Sequence, residues 1–375
     1  MSIIDNITEW LLSVSRVSTL DIDSSCLRWV YGSMNQQTPA LQTFRSLQTN
    51  AVHLAKDQPG HLFDSNALAA LLSSMVATKY GLESHAAVIL PDQAFHFGAI
   101  SVPAAAGRAS LTPLLQRDIQ KTAPLPINSY VIKHETGKSK GSQLYVQYCA
   151  LPITILEEVQ RACEMARIVP VSVQPAFVGL IKLLMRHQSI SEHPSVFLHI
   201  GNESTTMGIY DKAGLRTINL LDFGFRRLLQ SIIEGLECDE STATQALFHE
   251  PLLLDDPGAS DAQNEIPAFA AIETPLADFL QKIYGQLLLF GSEHPEENGY
   301  SKIVVSGEGA LIKNLDRLIT FNLGIPASVI SNELKDISEL TGLPADEMLE
   351  TLAPALGSLL LQPARKDRFD RIMAA

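Results

Sequence analysis

Three short stretches of this chain place small hydroxyls, glycines and single charges where a backbone turns sharply. In FLHIGNESTTMGIYDKAG, Phe197 to Gly214, two apolar strands flank Gly201, Asn202, Glu203, Ser204 and Thr205. Backbone N–H groups and short hydroxyls at such a turn can cradle a phosphate. TLDIDSSCLRWVYGS, from Thr19, shows the same pattern in the other half of the chain, with Asp23, Ser24 and Ser25 at its turn. The third stretch is IVVSGEGALIKNL, where Gly307 and Gly309 flank Glu308 between a strand and a helix. Glycines there let the backbone turn or approach a ligand, and the helix start that follows favours an anion. A nucleotide cleft between duplicated domains needs one such hairpin from each domain and a glycine turn for the nucleoside. Yet the strand entering the second hairpin carries His199, where a nucleotide site would want a carboxylate for its metal.

Other chemistries find little support. HETGKSKGS contains Gly137-Lys138-Ser139, but a P-loop needs another glycine five residues earlier, and Ile132 stands there. The tract is expected to be an exposed loop between two strands. The ten histidines form no HExxH pair, and no GxSxG elbow is present. His96, His193 and His199 read as packed in the fold. Glu157-Glu158 and Asp255-Asp256 read as solvated charge. Cys26, Cys149, Cys163 and Cys238 form no CxxC pair, which speaks against a zinc or thioredoxin-like site and for buried, reduced thiols.

The elements that must position the three turns belong to a chain of 375 residues, enough for two domains or one duplicated domain. With 46% apolar and 18% charged residues, it can bury real cores. A net charge of -13 lacks the basic footprint of a nucleic-acid binder. The N-terminus carries Asp5 and Glu9 and no basic residue before Arg16, so it lacks the positive region of a secretory signal. Ile3, Ile4, Ile7, Leu11 and Leu12 predict an amphipathic helix over 1–17. No apolar run approaches the roughly 20 residues that span a bilayer, and a soluble, cytoplasmic protein is expected.

The two matching hairpins predict a duplicated α/β fold. The first domain is expected over 18–85 plus 173–194, and the second over 195–375 with a mobile loop near 251–267. Residues 86–172 read β-β-α-β-β-α, a compact subdomain inserted into the first half. Within it LTPLLQRDIQKTA reads as a helix with Pro113 in its first turn. TILEEVQRACEMARIV is another, striped by Ile155, Val159, Ala162, Cys163 and Ala166.

In order and in detail, LDIDSSCLRWV, PVSVQPAFVGLIKLL, LHIGNESTTMGIY, VVSGEGALIKNLDRLITFNLGIP and LAPALGSLLL resemble the PilM family of type IV pilus assembly proteins. The resemblance covers nearly all of the chain from about Ser18. It implies duplicated actin-like (ribonuclease H-like) domains around a cleft, with the insertion where the related FtsA carries its own subdomain. It implies a cytoplasmic protein at the inner membrane that binds the N-terminal cytoplasmic peptide of a bitopic PilN-like partner, in a groove of the insertion. Pilus motor or platform proteins, or a type II secretion counterpart, would be further partners, and self-assembly is a habit of the fold. For ATP and magnesium, the resemblance assigns Asp21 as the metal or water ligand. It assigns Ser24, Ser25, Gly201, Asn202, Ser204 and Thr205 to the phosphates, and Gly307, Glu308 and Gly309 to the nucleoside turn. Arg28 stands where a lysine is common. Asp23 and Glu308 replace glycines and His199 replaces an aspartate. Charge repulsion near phosphate and the loss of a carboxylate predict weak or absent ATP binding. The competing reading is a sugar-kinase-like phosphotransferase of the same fold, for which Asp222 is the candidate base.

Overall fold

The computed structural model describes residues 16–24, 26–35, 38–48, 60–76, 85–103, 108–140, 143–187, 193–212, 214–248, 266–295, 299–334 and 349–359. The helix expected over 1–17 lies outside these residues, except that Arg16 and Val17 begin a strand. The loop expected near 251–267 lies outside them as far as residue 265, and so does Asp255-Asp256.

The first half runs β1 (Arg16–Ile22), β2 (Cys26–Asn35), β3 (Thr38–Gln48), α1 (Ser65–Val76), β4 (His85–Leu90), β5 (His96–Pro103), α2 (Arg108–Thr122), β6 (Tyr130–Lys140), β7 (Gln143–Pro152), α3 (Ile153–Met165), β8 (Val169–Pro175) and α4 (Ala176–His187). The second runs β9 (Ser195–Ile200), β10 (Thr205–Asp211), β11 (Gly214–Leu221), α5 (Phe225–Leu236), α6 (Glu240–Phe248), α7 (Pro267–Glu293) and β12 (Ile303–Ser306). After a short helical turn at Glu308–Leu311 come α8 (Leu315–Leu323), β13 (Ala327–Val329), the single turn α9 (Ile330–Glu333) and α10 (Leu349–Leu359).

Each half holds one five-stranded sheet, and the two sheets have the same order. The first is β3-β2-β1-β4-β8 and the second β11-β10-β9-β12-β13. In both, three antiparallel strands are followed by two that join in parallel. The duplication read from two hairpins is therefore a duplication of whole sheets.

Strand alternation decides what each face carries, because successive side chains point to opposite sides. In β1, Leu20 and Ile22 enter the core beneath α1 and α3, together with Leu27, Trp29 and Tyr31 of β2. In β9 and β12, Val196, Leu198, Ile200, Ile303 and Val305 enter the core beneath α5, α7 and α8. The alternate residues Val30, Ile89, Phe197 and Val304 meet between the sheets, where α4 and α10 fill the space. The same parity puts Asp21, Arg28, His199 and Ser306 on the inner faces. Hydrophobic spacing supports this layering: α5 buries Phe225, Leu228, Leu229 and Ile232. Every residue of α10 from Leu352 to Leu359 is buried, as expected for a helix packed on all sides.

The block expected at 86–172 is divided differently. β4 pairs with β1 and β8 in the first sheet, and the stripe of α3 packs into that sheet's core. The separate sheet is the three-stranded β5-β7-β6, covered by Leu111, Leu115 and Ile119 of α2. Apolar strands of similar look cannot reveal which sheet they join. α2 begins at Arg108, so Pro113 lies beyond the first turn. Gly137-Lys138-Ser139 belongs to the end of β6, where the pairing with β7 shifts between Thr136 and Ser139. Glu158 is not a solvated charge: its side chain is 14% exposed. It accepts hydrogen bonds from the Leu62 and Phe63 N–H groups at 3.0 and 3.2 Å. His61 Nδ1 lies 2.6 Å from it.

Candidate functional site

The first hairpin, the second hairpin and the glycine turn converge on one cleft between the halves. Its empty volume is about 490 Å3 with the open mouth included. Asp21, Asp23, Arg28, Gly201, Asn202, Ser204 and Glu308 line it, as does His199. Ser25 lies outside the described residues.

Arg28 dominates the inner end. Asp21 and Arg28 are direct partners in the β1–β2 register, and Arg28 Nη1 lies 3.3 Å from the Asp21 carboxylate. Arg28 Nη2 reaches across to Glu308 at 2.7 Å, from the first half to the second. All three side chains are at least 85% buried (8–15% exposed), so the pairing is desolvated and its geometry matters. Burial raises the Glu308 carboxyl, but Arg28 and His199 outweigh it and hold Glu308 below its ordinary range. Burial pushes Asp21 above its ordinary range despite Arg28. Burial, then Glu308, pushes Asp23 up to about 8. Burial lowers His199 and favours the neutral ring, whose Nδ1 sits 3.1 Å from Ser306 Oγ.

Several of the groups that could hold phosphate already have partners in the protein. Ser24 N–H donates to the Asp23 carboxylate at 2.7 Å. Asn202 Nδ2 donates to Ser24 Oγ at 2.9 Å, tying the two hairpins together. Gly201 N–H donates to the Ser204 carbonyl at 3.0 Å. The Thr205 hydroxyl donates to the Phe223 carbonyl at 2.7 Å. The start of α5 is engaged too, since the Phe225 and Arg226 N–H groups donate to the Gly201 and Asn202 carbonyls at 2.9 Å each.

Gly307 and Gly309 have a structural cause. Gly307 has φ 85°, and a Cβ there would lie 2.4 Å from the Ile200 carbonyl oxygen. A Cβ on Gly309 would lie 2.3 Å from Ile200 Cγ2. The turn is pressed onto the end of β9, and glycine is what permits that approach. Gly307 N–H donates to the Glu350 carbonyl at 2.9 Å, which anchors the turn to α10.

No protein-family model matches the chain, and no curated protein matches it in sequence. Among solved structures, a PilM-PilN type IV pilus biogenesis complex superposes with a TM-score of 0.73 at 19% identity, over 94% of this chain and 99% of that one. The ethanolamine utilization protein EutJ from Carboxydothermus hydrogenoformans gives a TM-score of 0.50 at 11% identity, over 92% and 88%. The chain has the actin-like fold. The strand order repeated in its two sheets is the internal counterpart of that likeness.

The resemblance read from the sequence would place ATP with magnesium in this cleft. Here the proposed metal ligand Asp21 faces a guanidinium, and Asp23 and Glu308 line the same cleft. Among the described residues no group of three or more His, Cys, Asp or Glu side chains could hold a metal ion. The donor set does not fit a magnesium nucleotide as it stands.

Asp92 escaped the sequence reading. It follows β4 directly after Pro91 and lines the cleft. Its carboxylate accepts the Phe177 N–H at the start of α4 at 3.1 Å and the Thr206 hydroxyl of the other half at 2.5 Å. Burial pushes it up to about 6. The available signal was position, since the carboxyl ends of parallel strands border the crevice of an α/β sheet. Asp222, the kinase candidate, is exposed and does not line the cleft.

Proposed function

We propose that this chain is an actin-like scaffold of a type IV pilus assembly machine. It would sit at the cytoplasmic face of the inner membrane and dock the N-terminal cytoplasmic peptide of a bitopic PilN-like protein. The observation that carries this reading is the likeness to the PilM-PilN complex along almost the full length of both chains. No helix among the described residues is long and apolar enough to cross a membrane, which accords with attachment through a partner. The insertion built on β5-β7-β6 is the proposed docking module, and contacts with motor or platform proteins and with further copies belong to the same reading.

The cleft chemistry supports a scaffold over an ATPase. Arg28 and Glu308 supply opposed charges from the protein itself, so ATP binds weakly or not at all. Calorimetry with the synthetic N-terminal cytoplasmic peptide of a bitopic PilN-like protein tests the partner: saturable binding supports the reading, and none removes it. A separate titration with ATP and magnesium should give no micromolar isotherm. His199→Asp alone should not restore one, because Arg28 and Glu308 remain paired.

A further inference from the structure

We propose that Arg28 is a built-in clasp that closes the cleft without any ligand. The inference rests on the cleft geometry and not on the pilus reading. In a two-lobed fold, a ligand in the cleft closes it by contacting both lobes at once. Here the protein makes such contacts with its own side chains. The Arg28 guanidinium bridges Asp21 of its own sheet and Glu308 of the other half. Asn202 of the second hairpin donates to Ser24 of the first. Thr206 of the second half donates to Asp92 of the first.

The charged groups of the cleft differ in what they replace. Arg28 puts a fixed positive charge against Asp21, where a bound cation would otherwise be held. Asp23 puts a carboxylate on the Ser24 N–H, where a phosphate oxygen would be received. Glu308 is the member that makes Arg28 span the halves, and the turn carrying it is fixed by the contact of Gly307 and Gly309 with Ile200 and by the Glu350 carbonyl. The clasp is thus mounted on rigid elements at both ends. The departures from a nucleotide site act together in this account: Glu308 is the partner that Arg28 requires, and neutral His199 adds no competing anion beside it.

The test is hydrogen–deuterium exchange on the full chain with no ligand, comparing wild type with Glu308→Gln. That variant keeps the shape of the side chain and removes its charge. The clasp predicts that peptides covering 21–28, 199–206 and 307–311 exchange about tenfold faster, while peptides in α4 and α10 keep their wild-type rates. Ser24→Ala should accelerate the two hairpins less. Millimolar ATP with magnesium should leave wild-type exchange unchanged. Wild-type rates at the three segments in Glu308→Gln, or a uniform acceleration across the chain, would overturn the proposal. So would strong protection of the wild-type cleft by ATP. Failure of the peptide titration above would leave these outcomes unaffected.

Discussion

At the crossing of α4 and α10 the two halves touch backbone to backbone, whereas at the cleft they touch through charge. In the crossing, a Cβ on Gly357 would lie 1.8 Å from the Gly179 carbonyl oxygen, and one on Gly179 would lie 2.1 Å from the Pro354 carbonyl oxygen. The surrounding core holds Leu180, Leu183, Leu184, Leu352, Leu356 and Leu359. The closest atoms there are backbone, which adjusts less readily than a side chain. The cleft is held by single side chains whose charge balance can be altered one group at a time. The difference separates a fixed pivot from an adjustable closure, although both join the same two halves.

The largest effect is expected from Arg28→Ala. It leaves Asp21 and Glu308 buried without their cation, at a cost of about 3 kcal/mol. Urea unfolding should show that loss, and an unchanged midpoint would mean that the cleft contributes nothing to joining the halves. Gly357→Ala should cost about 2 kcal/mol through overpacking, even though alanine favours a helix. A stabilised variant would show that the crossing is loose and would reverse the comparison.

Asp23→Asn should have the smallest effect and the opposite sign. Because Asp23 is held up to about 8, the folded chain keeps a proton that the unfolded chain releases near its ordinary value. Its contribution is therefore complete at low pH and is lost as pH rises towards about 8. Glu308, Asp21 and Arg28 are the charges that face it. Asparagine keeps an oxygen for the Ser24 N–H and removes the titration. The urea midpoints of the variant at about pH 5 and about pH 8 should lie closer together than those of wild type, by about 1 kcal/mol in stability. An identical pH profile would place Asp23 outside the charge cluster.

Much of the site was legible because hairpins have local signatures. Asp21, Gly201, Asn202, Ser204 and Glu308 could be located from small polar residues between alternating apolar runs, and the structure brings them to one cleft. The meaning of Arg28 could not be read that way. In the sequence alone it stands as a substitute for a lysine, because its second partner lies 280 residues away. Gly307 and Gly309 were legible as a turn, and the structure shows that turn pressed onto Ile200. Asp92 was missed because a single aspartate after a strand looks like any turn residue. Glu158 looked solvated because adjacent carboxylates usually are, and the loop at 61–63 that claims it comes from elsewhere in the chain.

By itself the sequence determined the strand alternation, the helical stripes, the two hairpins and hence the duplicated α/β plan, since these depend on periodicity and turn chemistry within a few residues. Tertiary structure alone decided that β4 and α3 belong to the first sheet and not to the insertion. It alone decided that Arg28 meets Glu308, and that Gly179 meets Gly357. Those outcomes depend on distances between segments far apart in the chain, and a local pattern of residues carries no information about such distances.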